Sequence, residues 1–314
     1  MSEFSPTEAA LEGLRISRER PVAVLWWWAA YLVTGLLHFA LLSIAPFDRL
    51  ASAYPELQAA SDAVRTNPAD AVATQHLAIL LGQTMPALIV FAAVTLVFQM
   101  VLSTAVLRAV LRPAEHRFGY LRLSMDELRQ LGLALMIGLA VIVYGFVVSI
   151  GSGLVLGILG PILPPAVLGV VAFAIIITAF AYPAVRLSLA PAMTLADGRI
   201  SFLRAWALTQ GRFWPLLGAY VLALAIAAVL WLAVTAPIGL ALKLMAGPRD
   251  PTLITGLKDL AAPLPLIALV VSSLIQALVV AIMTAPIASA FRQIAGRVGA
   301  PPAVRATATG SPWS

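Results

Sequence analysis

Hydrophobic positions along the chain fall into six long apolar runs separated by shorter polar segments. The runs cover about residues 23–44, 77–103, 131–156, 166–188, 215–244 and 264–290. A helix needs about 20 apolar residues to cross roughly 30 Å of hydrocarbon, and each run reaches that length. We therefore predict six transmembrane helices, because a helix satisfies its own backbone polar groups inside the bilayer.

Two of the polar segments predict shorter helices. Residues 56–64 lie between two prolines of the first connection and predict a short surface helix. In the fourth connection, Phe202, Trp206 and Phe213 recur at offsets of four and seven, which places them on one helical face. That face predicts an amphipathic helix lying in the headgroup layer of the membrane.

Short basic segments precede the three odd-numbered spans, and each carries a Leu-Arg pair, at residues 14–15, 121–122 and 203–204. In the second segment, Arg122 and Asp126 lie four residues apart and can pair along a helix. One interpretation is a unit of interfacial helix plus helical hairpin that is used three times. The other is that any such connection tends to be basic and amphipathic. The distinction matters because parallel repeats in transporters place binding sites at the repeat interface.

Composition supports the membrane prediction. Of the 314 residues, 61% are hydrophobic and only 11% are charged, against roughly 25% charged in a typical soluble domain. We predict an all-α, polytopic transmembrane bundle. It comprises an N-terminal segment over residues 1–22, a six-span domain over 23–290 and a flexible tail over 291–314. The chain has no cysteine, which excludes a disulfide framework, a thiolate metal site and a cysteine nucleophile.

The basic residues divide unevenly between the two ends of the predicted spans. Five of the 20 Lys and Arg residues fall on one side, and fifteen fall on the other: Arg15, Arg18, Arg20, Arg108, Arg112, Arg117, Arg122, Arg129, Arg186, Arg199, Arg204, Arg212, Arg292, Arg297 and Arg305. Basic loops stay in the cytoplasm. We therefore expect a multi-pass protein of the bacterial inner membrane with both termini in the cytoplasm.

A resemblance to a known group rests on residues 184–220, AVRLSLAPAMTLADGRISFLRAWALTQGRFWPLLGAY, and on the ending TAPIASAFRQIAG at 284–296. The first segment combines a span that ends in arginine with a proline, a turn and an aromatic helix: Arg186, Pro191, Asp197, Gly198, Trp206, Gly211, Phe213 and Trp214. This pattern resembles the YciC-like bacterial membrane proteins and the membrane domain joined to some glycerophosphoryl diester phosphodiesterases. The resemblance covers roughly residues 180–296 and implies a six-span architecture. It implies no catalysis, because those phosphodiesterases carry a separate soluble catalytic domain.

The candidate lipid-binding residues cluster around the fourth connection. They are Arg186, Arg199, Arg204, Arg212 and Trp206. Arginines at this depth contact anionic headgroups. The alternative for Arg186 is an arginine that snorkels to the interface or caps helix-end carbonyls.

A second set of candidates lies inside the spans. Gln83, Gln99 and Gln276 line a polar pathway in one interpretation and make interhelical hydrogen bonds in the other. The six runs contain no Asp or Glu, which disfavours a proton-coupled carrier.

Two enzyme patterns are weak. Asp197-Gly198 lacks the further carboxylates that a metal-dependent phosphotransferase needs, and it is better interpreted as a turn or helix cap. Ser152, between two glycines, and His38 or His76 would need contact at about 3 Å to form a nucleophile and base.

We predict a non-catalytic membrane protein without cofactor or metal. It binds anionic membrane lipids or a partner, and no nucleic acid. The alternative is a transporter for a small or amphiphilic solute.

Overall fold

Ten α-helices form the regular structure of the described chain. The computed structural model describes residues 4–44, 47–67, 70–246 and 263–298. The helices are α1 (Pro6–Glu19), α2 (Pro21–Leu42), α3 (Asp48–Thr66), α4 (Ala71–Leu111), α5 (Met125–Leu159), α6 (Pro165–Leu187), α7 (Ala190–Asp197), α8 (Phe202–Leu208), α9 (Phe213–Ala246) and α10 (Pro263–Val298). The predicted all-α class is confirmed.

Six of these helices are long and apolar enough to cross a membrane: α2, α4, α5, α6, α9 and α10. They correspond to the six apolar runs, so the chain has the architecture of a multi-pass membrane protein. Several helices are longer than their runs. Helix α4 has 41 residues, which is roughly 60 Å at 1.5 Å per residue. It is about twice as long as the hydrocarbon layer is thick, so its polar ends extend beyond that layer.

The first connection differs from its prediction. The structure has one helix over Asp48–Thr66, with Pro55 inside it, where residues 56–64 alone were expected. A proline removes one backbone hydrogen bond from the helix, that of its missing N–H. The helix continues on both sides of Pro55.

The predicted helix before the third span does not form. A 3-10 turn over Arg117–Tyr120 contains backbone with positive φ at Phe118. Helix α5 then begins at Met125, because Ser124 and Glu127 form a capping box that starts the helix there. Arg122 therefore lies outside the helix and pairs with Glu115 at 3.2 Å, not with Asp126. Of the three expected units, only the first and third have a short helix before the span, α1 and α8.

The predicted aromatic face in the fourth connection is also wrong. Helix α8 ends at Leu208, and Gly211, with a φ of 75°, lies in the turn before Phe213 begins α9. Only a residue without a side chain adopts this backbone at little cost. Phe202 and Trp206 thus belong to one helix and Phe213 to another.

The described chain divides into two compact units. The first contains residues 4–19, 103–226 and 281–298, and the second contains residues 20–102 and 227–280 apart from those outside the described ranges. In the first unit, α1 lies against α10 so closely that a Cβ on Gly13 would come within 2.5 Å of Ile282 Cα. In the second, Trp28 donates its indole N–H to the carbonyl of Val270 at 3.0 Å.

Candidate functional site

A buried ion cluster joins the end of α4 to the start of α5. Arg108, in the last turn of α4, is 1% exposed and bonds through Nη1 to the Glu127 carboxylate. Its Nη2 lies 3.0 Å from Ser124 Oγ and 3.3 Å from Asp126 Oδ2. A buried guanidinium is tolerated when carboxylates and hydroxyls compensate it. The capping box supplies them, because it places Asp126 and Glu127 in the first turn of α5.

The same hairpin holds α7 in place. Arg112 bonds to Asp126 at 3.1 Å and donates to the carbonyl of Leu195 at 2.7 Å. Gln130 donates to the carbonyl of Pro191 at 2.7 Å. Both carbonyls belong to α7, so the short helix is fixed by Arg112, which bonds to the ion cluster, and by Gln130 of α5.

The turn from α7 to α8 is built around Asp197. Its carboxylate accepts a hydrogen bond from Ser201 Oγ at 2.9 Å and an ion pair from Arg204 Nη1 at 2.5 Å. Gly198 ends α7 in the left-handed conformation, with a φ of 62°. The residue at the N-cap of α8 is Ser201. Of the two roles expected for Asp197, turn residue and helix cap, it therefore has that of the turn residue. On the inner side, Ala205 of α8 packs in a buried apolar cluster with Met193 of α7.

The outer side of this turn carries basic and apolar side chains together. We define the corner surface as Arg199, Ile200, Leu203, Arg204 and Trp206. Leu203 is 79% exposed, Ile200 42% and Trp206 38%, and the side chain of Arg204 is 52% exposed. Arg199 is exposed beside them. Alternating arginines and large apolar side chains are typical of segments that lie at a membrane–water interface.

The other two predicted arginines have different surroundings. Arg186 bonds to the Tyr182 hydroxyl and to the carbonyl of Trp206, and it lies over both aromatic rings. Arg212 is half-buried and donates to the carbonyl of Leu208 at 3.3 Å. Contacts therefore bring Arg186 together with Trp206, whereas Arg212 bonds within its own turn of chain.

Two glutamines of the predicted pathway, Gln83 and Gln99, lie on α4, and Gln276 lies on α10. Gln99 accepts a hydrogen bond of 2.7 Å from the Tyr31 hydroxyl, the type of contact that packs one helix on another. Gln83 and Gln276 are exposed. His38, in α2, contacts Thr95 of α4 at 3.0 Å.

The weak pattern of a serine nucleophile with a histidine base gains no support, since the hydroxyl of Ser152 donates to the carbonyl of Ser149 in its own helix. Within the described ranges, no three His, Asp or Glu side chains are grouped to hold a metal ion.

The ion cluster was missed by the sequence analysis, which used Arg108 and Arg112 only as topology signals. The signal that was available is the Ser124-Met-Asp-Glu127 capping box, which follows a span ending in two arginines. In this pattern, two acidic residues stand at the start of one helix, and two arginines stand at the end of the span before it.

We compared the chain with protein-family models, curated proteins and solved structures, and none of these matches it.

Proposed function

We propose that this chain is a non-catalytic protein of the bacterial inner membrane whose corner surface binds anionic lipid headgroups on the cytoplasmic side. The architecture fits the six-span group that residues 184–220 resemble. The Asp197-Gly198 turn of that resemblance is the point at which the corner surface is formed.

One observation carries the proposal: exposed arginines and exposed large apolar side chains occur together on a rigidly held corner. Arg199 and Arg204 flank Ile200 and Leu203, and the α4–α5 hairpin fixes α7 beneath them. Apolar side chains enter the boundary of the acyl chains while arginines remain with the phosphates. Each basic residue near an anionic leaflet contributes about 1 kcal/mol, and the ion pair with Asp197 reduces the share of Arg204.

The test replaces the two corner arginines with glutamine, as R199Q/R204Q. Thirteen of the fifteen basic residues on that side remain, so the orientation of the protein should not change. We expect the variant to lose anionic lipid that copurifies with the wild type, measured by native mass spectrometry.

The matched control is R18Q/R117Q, which removes two exposed arginines from the same predicted side but from separate segments. It should keep its lipid. Equal losses in both variants would indicate general attraction to the membrane, and retention of all lipid by R199Q/R204Q would refute the corner surface as a lipid site.

The proposed orientation has its own test. A phosphatase reporter that works only in the periplasm should be active when inserted into α3, near Ser61. It should be inactive when fused after residue 298. Activity at the second position would mean that the termini lie on opposite sides and would contradict six spans.

A further inference from the structure

Arg186 differs from the other arginines in how its guanidinium is held. It lies in the last turn of α6, where the apolar span ends. Its Nε and Nη2 lie 3.2 and 3.1 Å from the Tyr182 hydroxyl, and Nη1 lies 3.4 Å from the carbonyl of Trp206. The guanidinium carbon lies 5.4 Å from the centroid of the Tyr182 ring and 5.3 Å from that of Trp206. The side chain is therefore held by partners on two helices.

The positive charge of Arg186 has no acidic partner among the described residues. Seven other arginines among the described residues form ion pairs with carboxylates: Arg15, Arg108, Arg112, Arg122, Arg129, Arg204 and Arg292. The partners of Arg186 are a phenol, a carbonyl and two rings, all of them neutral. The fold thus orients a cation and leaves its charge uncompensated.

The donors of Arg186 are only partly used. A guanidinium carries five N–H groups, and the three contacts to Tyr182 and Trp206 occupy three of them. One N–H remains on each terminal nitrogen. These two groups form a fork that fits two oxygens of one phosphate. The Tyr182 hydroxyl accepts on the edge formed by Nε and Nη2, which leaves the edge between Nη1 and Nη2 for an incoming ligand.

The surroundings of Arg186 match the depth of lipid phosphates. Tyr182 is 44% exposed, and Trp214 at the start of α9 is 76% exposed. Tyr and Trp concentrate at the level of the headgroups. An acyl chain can lie beside the exposed rings while the phosphate reaches the guanidinium.

We infer that Arg186 is a preorganised binding site for the phosphate of a membrane phospholipid, which binds through the fork of the two remaining N–H groups. Tyr182 is the positioning residue. This inference rests on the proposed function and deepens it: the corner surface attracts anionic lipid by charge, and Arg186 selects phosphate by geometry.

The test compares R186K with R117K in delipidated protein, with phosphatidylglycerol as the probe and native mass spectrometry as the readout. Lysine keeps the charge but not the fork or the stacking. We expect R186K to bind phosphatidylglycerol about tenfold more weakly, because a charge-assisted hydrogen bond is lost. R117K, at an exposed arginine outside the candidate site, should bind as the wild type does. Equal affinity of R186K and the wild type would overturn the inference.

Two further probes identify the source of the phosphate. Diacylglycerol has the acyl chains without the phosphate and should not compete. Inorganic phosphate has the anion without the chains and should not displace the lipid at equal concentration. Displacement by inorganic phosphate would make Arg186 a site for free phosphate and overturn the lipid assignment.

Y182F tests the positioning role without changing any charge. Its control is Y144F, because Tyr144 is similarly exposed and its hydroxyl makes a hydrogen bond away from Arg186, to the carbonyl of Ala179 at 3.1 Å. Y182F should weaken lipid binding and Y144F should not, with thermal midpoints unchanged in both. In the R186K background, Y182F should add no further loss. An additive loss would show that Tyr182 does not act through Arg186.

The two proposals fail in different ways. If R199Q/R204Q loses copurifying lipid while R186K binds phosphatidylglycerol as the wild type does, the corner surface is supported as a lipid site. The Arg186 binding site is then refuted. If the wild type itself binds no phosphatidylglycerol, both are refuted.

Discussion

Arg108 and Arg186 occupy equivalent places in the chain, since each is the basic residue in the last turn of an apolar helix. Their environments are opposite. Arg108 is 1% exposed and is bonded to two carboxylates, whereas Arg186 lies at the surface among neutral groups. The difference comes from the chain that follows. The first turn of α5 brings two acids to Arg108, whereas the acid that follows α6, Asp197, bonds to Ser201 and Arg204 and leaves Arg186 to Trp206 of α8. An arginine at a span end is thus structural or available for binding according to whether the chain that follows brings it a carboxylate.

The largest expected effect is that of R108M. Methionine fills much of the space but leaves Glu127, which is buried, without its counter-charge. Removing one partner of a buried ion pair costs about 3–5 kcal/mol. We expect a decrease of that size in the free energy of unfolding, measured by denaturant titration in mixed micelles.

The controls for R108M test whether burial is the cause. R122Q removes an exposed pair with Glu115 and should cost about 0–1 kcal/mol. R108M/E127L, which replaces both buried partners, should be more stable than R108M alone. Similar losses in R108M and R122Q would remove the distinction on which the comparison rests.

An intermediate effect is expected for E12Q, where the acid is buried and the arginines are exposed. Glu12 of α1 is 2% exposed and accepts from Arg15 at 2.8 Å and from Arg292 of α10 at 3.4 Å. Hydrogen bonds to charged groups contribute about 1.5–3 kcal/mol, so E12Q should lower the free energy of unfolding by about that amount. E19Q, on the same helix but exposed, is the control and should change it little. Equal losses would show that burial of Glu12 is unimportant.

The smallest effect on stability is expected for R186Q. The glutamine loses the stacking on two aromatic rings, which is worth about 0.5–1 kcal/mol at an exposed site, and no buried carboxylate is left unpaired. The unfolding titration should detect only this small change. A loss of stability as large as that of R108M would show that Arg186 stabilises the fold, and it would weaken the proposed role of Arg186 in binding.

Local patterns predicted some elements correctly and failed where the chain turns. The Leu-Arg pair of residues 203–204 does lie in a short helix, α8. The same pair at residues 121–122 does not, because the Ser124 cap starts α5 only two residues later. Helical periodicity extended α8 to Phe213, but the positive φ at Gly211 ends that face. Periodicity describes what a helix would present and does not show where the helix stops.

The sequence by itself determined the six helices that are long and apolar enough to cross a membrane. Each is a property of one continuous segment, because a run of about 20 apolar residues must satisfy its backbone within itself in hydrocarbon, whatever its neighbours are. Only the tertiary structure decided which arginines are neutralised. The partners of Arg108 are 12 to 19 residues away and those of Arg112 include a carbonyl 83 residues away. Such pairings depend on where the chain folds back, because electrostatic and hydrogen-bond energies fall off over a few ångströms in space, irrespective of separation along the sequence.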